Sequence, residues 1–179
     1  MQVIRAADWT DMPWRNGGGV TSELLAERQA GAILWRISSA IVDRDGTYSS
    51  FPGLNRISTV IEGAGTTLRD PESGAVVDIP PCTPTLLVGD IAWQGALTHG
   101  PIRHFNLIFD PQQVRASVEV LRFKDRALLP DESDAVFCVE GRCEIAGSQM
   151  KSHDMAVSPT GVIRGEATLL IIQIKRIQP

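Results

Sequence analysis

A run of three glycines, Gly17–Gly19, lies within the segment MPWRNGGGVTSEL. Glycine runs beside a hydroxyl residue often cradle phosphate, because their backbone N–H groups can approach an anion closely. A phosphate-binding P-loop also needs a lysine directly after the glycines and an apolar strand before them, and this segment has neither. The run therefore predicts a glycine turn or, alternatively, a loop in which Asn16 and Gly18 approach a ligand.

Polar side chains recur at every second position in three apolar segments, a pattern typical of strands with one polar side. The residues on these sides are Arg36 and Ser38 in LWRISSAIV (34–42), Arg56, Ser58 and Glu62 in RISTVIEG (56–63), and His104 and Asn106 in RHFNLIFD. They either form the solvated outer face of an antiparallel sheet or line the mouth of a small barrel. The segments contain arginine and no lysine, which favours the second interpretation, because arginine binds carboxylates through two parallel hydrogen bonds.

A barrel mouth of this kind predicts a site for a small anion bearing a carboxylate or an amide. Arg36, Arg56 and Asn106 would bind the anion, and Glu62 could orient an arginine or bind an ammonium group. Trp14 lies beside the glycine run and is a candidate wall of the pocket. Two alternatives stay open: an isomerase or hydrolase that uses Glu62 or His104 as acid or base, and an interaction protein whose filled barrel binds no ligand.

The histidines and cysteines form no recognisable metal-binding motif. They are His99, His104, His153, Cys82, Cys138 and Cys143. The spacings H-x-H, H-E-x-x-H and C-x-x-C do not occur, so neither a metal ion nor another cofactor is predicted. An odd number of cysteines argues against a disulfide framework. Cys138 and Cys143 are predicted to be buried thiols; they would face each other as a redox pair if Glu140-Gly141 were a hairpin turn.

Short apolar segments recur about every ten residues between Gly and Pro pairs, which predicts an all-β sandwich or barrel of antiparallel sheets. Further strands are expected at TLLVGD, AVFCVEG and ATLLIIQIKRI (167–177). One helix is a candidate, DPQQVRASVEVLR (110–122), with Asp110 as its cap and Pro111 in its first turn. The second half of this segment alternates and could be a strand.

A faint internal repeat suggests two modules. TVIEGAGTTL (59–68) and VFCVEGRCEI (136–145) both end an apolar run with Glu-Gly and then resume a strand. Two β modules fit the chain length. We expect an N-terminal module over residues 1–110 and a C-terminal module over 111–179, which share strands and core in one compact unit.

Composition limits the classes of partner. The formal net charge is -4 and the pI is about 5.4, so the chain lacks the basic surface that nucleic acid requires. No apolar run approaches the roughly 18 residues of a membrane-spanning helix. The start, MQVIRAADW, lacks the apolar core of a signal peptide, so a cytoplasmic location is expected. Edge strands would permit a homodimer.

Three segments, in this order, resemble the HutD/Ves family. They are MPWRNGGGVTSEL, WRISSAIV with YSSFPGLNRISTVIEGAG, and LVGD with GPIRHFNLIFD. The resemblance covers residues 1–110, and the second half of the chain is compatible with it. The family-like positions are Trp14, Asn16, Gly17, Gly18, Gly19, Thr21, Glu23, Arg36, Ser39, Phe51, Gly53, Arg56, Glu62, Gly63, Gly89, Asp90 and Asn106. Asn55 and His104 stand where the family often has Asp, so neither position supplies a carboxylate here.

The family is similar to the cupins, so the resemblance implies a cupin-like double β-barrel. HutD members are linked with histidine-utilisation operons and Ves members with cold and stress response. The resemblance thus implies a modulator that binds a metabolite such as formylglutamate, and it carries over no established reaction. Metal cupins have an H-x-H motif that this chain lacks, so binding is expected to be metal-independent. The predicted ligand-binding residues are Trp14, Asn16, Gly18, Thr21, Arg36, Arg56, Glu62, His104 and Asn106.

Overall fold

A computed structural model describes residues 1–14 and 19–177, and in these ranges the chain is almost entirely antiparallel β-structure. The helical content of the described residues is one short 3₁₀ turn, Ala6–Asp8. The strands are β1 (Gln2–Ile4), β2 (Asp11–Pro13), β3 (Gly19–Gln29), β4 (Ala32–Val42), β5 (Gly46–Thr47), β6 (Asn55–Glu62), β7 (Thr66–Arg69), β8 (Val76–Ile79), β9 (Thr85–Val88), β10 (Gln94–Leu97), β11 (Ile102–Phe109), β12 (Val114–Leu128), β13 (Ala135–Ile145), β14 (Ser148–Lys151), β15 (Met155–Val157) and β16 (Val162–Arg176). The predicted all-β class is confirmed. Within the described ranges, no helix has the length and apolar character needed to cross a membrane.

The chain divides into two compact units. One contains Thr10–Val114 and the chain end from Arg176; the other contains Met1–Trp9 and Arg115–Lys175. This division differs from the expected modules in one main respect, because the first nine residues belong with the C-terminal strands. There β1 pairs with β15, and the buried carboxylate of Asp154 binds the Arg5 guanidinium and the backbone N–H of Ala6.

The Thr10–Val114 unit holds two sheets, with strand orders β2-β3-β4-β11-β6-β9 and β5-β10-β7-β8. In the first sheet β11 lies between β4 and β6. Its Asn106 is directly opposite Ser38 of β4 on one side and Ser58 of β6 on the other. Apolar side chains from both sheets form a common buried cluster that includes Val42, Val60, Leu68 and Trp93. The pairing of β11 with β4 and β6 brings the polar sides of these three strands together.

The Arg115–Lys175 unit holds one sheet, with the order β1-β15-β13-β16-β12 and with β14 paired to β13. The redox-pair hypothesis required a hairpin turn at Glu140-Gly141, and that turn does not form. Strand β13 runs through both residues, and its pairing with β16 shifts register between Cys138 and Glu140. The shift places Cys138 and Cys143 in one buried apolar cluster as free thiols, as the simpler interpretation predicted.

The helix candidate after Asp110 is a single turn followed by strand β12. The Asp110 carbonyl accepts hydrogen bonds from the N–H groups of Gln113 and Val114, as in the first turn of a helix. The chain then extends, because Val114 and Val118 are β-branched and buried, whereas the residue after each of them is exposed. The helical interpretation of this segment was therefore wrong, and the strand interpretation of its second half is confirmed.

Candidate functional site

A pocket of about 560 Å³ opens beside the first sheet of the Thr10–Val114 unit. Strand alternation supplies one wall, because every second residue of β4, β6 and β11 points toward it. The described lining residues are Met12, Pro13, Trp14, Thr21, Arg36, Ser38, Ala40, Val42, Thr47, Tyr48, Ser49, Phe51, Arg56, His104, Asn106 and Ile108. The polar strand sides thus line a pocket, in which Arg36 is half-buried and the other polar strand residues are buried: Ser38, Arg56, His104 and Asn106.

The pocket brings together six of the residues that the sequence singled out: Trp14, Thr21, Arg36, Arg56, His104 and Asn106. Asn16 and Gly18, which were also predicted to bind a ligand, lie outside the described residues. Ser58, on the same strand side as Arg56, is buried behind His104 and Asn106.

Glu62 lies away from the pocket. The pairing of β6 with β11 shifts register between Arg103 and His104, so that His104 pairs with Val60 and Arg103 with Glu62. Ile61 is thus an extra residue in β6, and the side chains beyond it change faces. Glu62 is half-exposed, and its Oε2 accepts a hydrogen bond from Arg103 Nε at 2.7 Å. The expectation that Glu62 shares a side with Arg56 was therefore wrong.

Two arginines carry the positive charge of the described pocket lining. Arg56 is 7% exposed, and its Cζ lies 5.6 Å from the centre of the Tyr48 ring and 5.9 Å from that of Phe51. The Cζ of Arg36 lies 5.5 Å from the Phe51 ring centre. The rings attract the guanidinium groups through cation–π contacts, which leave the charges of both arginines unneutralised.

Neither guanidinium is paired with an acid among the described residues, and the Nε atom of each is buried there without a hydrogen-bond partner. Glu23 attracts Arg36 from a distance, but its two carboxylate oxygens bind Arg28 at 3.2 and 2.8 Å. Burial lowers the pKa of Arg36 and lowers that of Arg56 to about 10. The charge of Arg36 further lowers the pKa of Arg56, and that of Arg28 further lowers the pKa of Arg36. The pocket therefore holds one buried and one half-buried cation, and neither has a counter-ion among the described residues.

A buried chain of hydrogen bonds runs behind the arginines. The Ser58 hydroxyl donates to Asn106 Oδ1 at 2.9 Å, and Ser58 Oγ also contacts His104 Nδ1 at 2.9 Å. On the other side of the imidazole, Nε2 contacts the Tyr48 hydroxyl at 3.1 Å. Burial, with a smaller contribution from Arg56, lowers the pKa of His104 to about 3, so the imidazole is neutral at physiological pH.

Gly19 allows Trp14, an aromatic residue at the pocket edge, to pack closely against the backbone. A Cβ at Gly19 would lie 2.2 Å from the Ile41 carbonyl oxygen and 3.2 Å from the Trp14 ring. Trp14 Nε1 donates to Thr21 Oγ1 at 2.7 Å, and its backbone N–H donates to the Gly19 carbonyl at 2.9 Å. The last glycine of the run, which begins β3, therefore serves close packing, whereas the predicted turn itself falls on Gly17 and Gly18, outside the described residues.

Tyr48 and Phe51 are pocket residues that strand-parity reasoning missed. They lie in the connection between β5 and β6, where alternation gives no information about side-chain direction. The available signal was two aromatic residues in the loop segment TYSSFPG, which stands between the two arginine-bearing strands.

Replacing Gly95 by alanine should displace the Tyr48 ring and lower the free energy of unfolding by about 1–3 kcal/mol, as overpacking commonly does. A Cβ at Gly95 would lie 2.2 Å from Tyr48 Cε2. Urea denaturation measures the change. Gly46→Ala is the matched control, because Gly46 pairs with Gly95 across the strands and its Cβ would meet none of the described atoms within 4 Å. Equal effects of the two substitutions would contradict this role of Gly95.

The described residues contain no group of three or more His, Cys, Asp or Glu side chains placed to hold a metal ion. The one histidine that lines the pocket is His104, and both of its ring nitrogens already have partners in Ser58 and Tyr48. A metal ligand role would require breaking one of these contacts.

Comparison with known proteins identifies the family. The HutD family model matches residues 6–174. An uncharacterised 21.2 kDa protein in the hutC 3′ region of Pseudomonas putida is 30% identical over 183 residues, covering 98% of this chain and 93% of the relative. HutD from Pseudomonas fluorescens SBW25, solved in a formate condition, superposes with a TM-score of 0.83 at 31% identity over 99% of both chains. A conserved protein of unknown function from Pseudomonas aeruginosa PAO1 gives 0.84 at 28% identity, over 97% of this chain and 98% of that one. The resemblance found in the sequence is therefore confirmed, and the chain belongs to the HutD family.

Proposed function

We propose that this protein is a cytoplasmic, cupin-like double β-barrel that binds a small anionic metabolite without a metal ion. The ligand is a carboxylate of the formylglutamate type, and its binding modulates histidine utilisation. The membership of the HutD family and the hutC 3′ location of the Pseudomonas putida relative support the metabolic context.

The observation that carries the proposal is a pair of arginines, the buried Arg56 and the half-buried Arg36, that line one pocket without an acidic partner among the described residues. A buried charge without a counter-ion is costly, and a bound carboxylate would supply both the opposite charge and the missing hydrogen-bond acceptors. The pocket volume, about 560 Å³, falls within the range of small-molecule sites. Aromatic walls from Tyr48 and Phe51 would contact the carbon chain of the ligand.

Two features favour binding over acid–base catalysis. Glu62, one of the two candidate acid–base residues, is paired with Arg103 outside the pocket. His104, the other, is held neutral and has both nitrogens engaged. A general base near neutral pH needs a pKa closer to 7 than that of His104.

A thermal-shift panel on chelator-treated protein tests the proposal. The panel contains formylglutamate, formate, urocanate, histidine, glutamate and divalent metal ions. A ligand at about 100 times its dissociation constant stabilises the fold by about 2.7 kcal/mol, which corresponds to a rise in Tm of about 5–10 °C for a chain of this length. We expect this rise with formylglutamate.

The matched variants are Arg36→Gln, which removes a pocket cation, and Arg115→Gln, which removes an exposed arginine from the other unit. The shift should be lost in the first variant and kept in the second. A rise in Tm with metal ions alone would contradict the proposal. So would the absence of a rise in Tm with every anion of the panel.

A further inference from the structure

We infer that the pocket selects carboxylates that carry no ammonium group, and that Ser58 and His104 set this selectivity by fixing the orientation of the Asn106 amide. Asn106 is thus a specificity-determining residue, and Ser58 and His104 are positioning residues. This inference rests on the proposed function, because it specifies which anions the same pocket accepts.

The count of protons fixes the direction of the hydrogen-bond chain. A serine hydroxyl has one proton, and Ser58 donates it to Asn106 Oδ1. The contact between Ser58 Oγ and His104 Nδ1 must then use a proton on Nδ1. In a neutral imidazole this leaves Nε2 as an acceptor, and the Tyr48 hydroxyl donates to it.

The same chain of hydrogen bonds determines which atoms Asn106 presents to the ligand. Its carbonyl oxygen is occupied by Ser58, so its NH₂ group is the part that remains for the pocket. An amide that could turn would offer either an oxygen or an NH₂ group, whereas this one offers a donor. The strongest polar groups of the pocket, Arg36, Arg56 and Asn106, are therefore all hydrogen-bond donors.

The charges of the pocket point to the same conclusion. None of the described lining residues is Asp or Glu, and positions 15–18 of the sequence, RNGG, contain no acid either. A ligand ammonium would lie near two guanidinium groups without a carboxylate to offset it. Carboxylate and carbonyl oxygens, by contrast, match every one of these donors. Acids whose nitrogen is acylated, or that have no nitrogen, fit the pocket, and free amino acids do not.

Three probes of one carbon skeleton separate the possible causes of selectivity. Glutarate has two carboxylates and no nitrogen, glutamate adds an ammonium group, and N-formylglutamate acylates that nitrogen. Isothermal titration calorimetry of the wild type should show that glutarate and N-formylglutamate each bind at least about 100-fold more tightly than glutamate, a ratio within reach of a site with buried polar groups.

The variants test the residues that set the ratio. Asn106→Asp replaces the donor by a carboxylate and should reduce the preference over glutamate at least about tenfold. Ser58→Ala should reduce it without changing the charge, because the amide can then turn. Asn55→Asp is the control: it adds the same charge at the start of β6, outside the pocket lining, and should leave the ratio unchanged.

A second measurement needs no variant. Nitrogen-15 NMR of the wild type reports which ring nitrogen of His104 carries the proton, and we expect Nδ1. A proton on Nε2 would reverse the chain, turn the Asn106 oxygen toward the ligand and overturn the inference. Equal binding of glutamate and glutarate would overturn it as well, while leaving the proposed anion site intact. Binding of none of the three probes would instead contradict the proposed function.

Discussion

Arg56→Met should raise the free energy of unfolding of the unliganded protein by about 1–3 kcal/mol and abolish anion binding. Burial lowers the pKa of this guanidinium from 12.5 to about 10. At about 1.4 kcal/mol per pKa unit, this means that the charged form is penalised by about 3 kcal/mol at neutral pH. Methionine keeps the apolar contacts with Tyr48 and Phe51, forfeits the cation–π attraction and removes the buried charge.

Urea denaturation with and without N-formylglutamate measures both parts of this prediction. The variant should be more stable than the wild type in the absence of ligand and should gain nothing from ligand. Arg69→Met is the control, because Arg69 is exposed on β7 of the same unit. A variant less stable than the wild type would show that Arg56 has a charge partner in solution, and the central argument for the anion site would then be lost.

This opposition between stability and binding is expected of functional sites, where groups are held in unfavourable surroundings for the sake of a ligand. The cost of burying a charge also explains why the lack of lysine in the polar strand segments favoured a pocket over a solvated sheet face. A solvated sheet face carries lysine at little cost, whereas Arg56, at 7% exposure, lies against two aromatic rings and has a buried Nε without an acceptor among the described residues, as the proposed anion site expects.

Strand parity predicted the pocket wall wherever the strands pair in regular register. Arg36, His104 and Asn106 lie where alternation puts them, because β11 pairs with β4 without interruption from Ile102 to Phe109. The same reasoning failed at Glu62, because Ile61 is an extra residue in β6 and no local sequence signal marks it. Side-chain alternation can be read from the sequence of one strand, whereas a β-bulge depends on how two strands pair.

The elements outside regular strands were the least predictable part of the site. Tyr48 and Phe51 reach the pocket from a loop whose path is set by packing, and Tyr48 fits because of Gly95, which is far away in sequence. The segment after Asp110 shows that a correct local signal does not by itself identify the secondary structure that follows it. The Asp110 carboxylate accepts the Gln112 backbone N–H at 2.9 Å, as the predicted cap requires, but the β-branched residues that follow favour strand β12 over the predicted helix.

His104 should make the stability of the protein fall steeply in mild acid. Its pKa is about 3 in the folded protein and 6.5 in an unfolded chain, because it is buried and lies near Arg56. Between these two values the unfolded chain binds a proton at this imidazole and the folded protein does not, so the free energy of unfolding decreases as the pH falls. The slope rises from about 0.7 kcal/mol per pH unit at pH 6.5, where half of the unfolded imidazoles are protonated, to about 1.4 kcal/mol per pH unit near pH 5. The free energy of unfolding therefore falls by about 1.7 kcal/mol over this range, where carboxylates contribute little.

Urea denaturation at pH 6.5, 6.0, 5.5 and 5.0 measures this slope. His104→Gln should flatten it, and His99→Gln, which alters an exposed histidine of the same unit, should not. A wild-type stability that stays constant over this range would contradict the assignment of a neutral, buried His104. Because the folded imidazole does not titrate there, the hydrogen-bond chain through Ser58 and Tyr48 keeps its direction while the protein loses stability. Selection against ammonium-bearing ligands should therefore persist at pH 5 in whatever fraction of the protein remains folded.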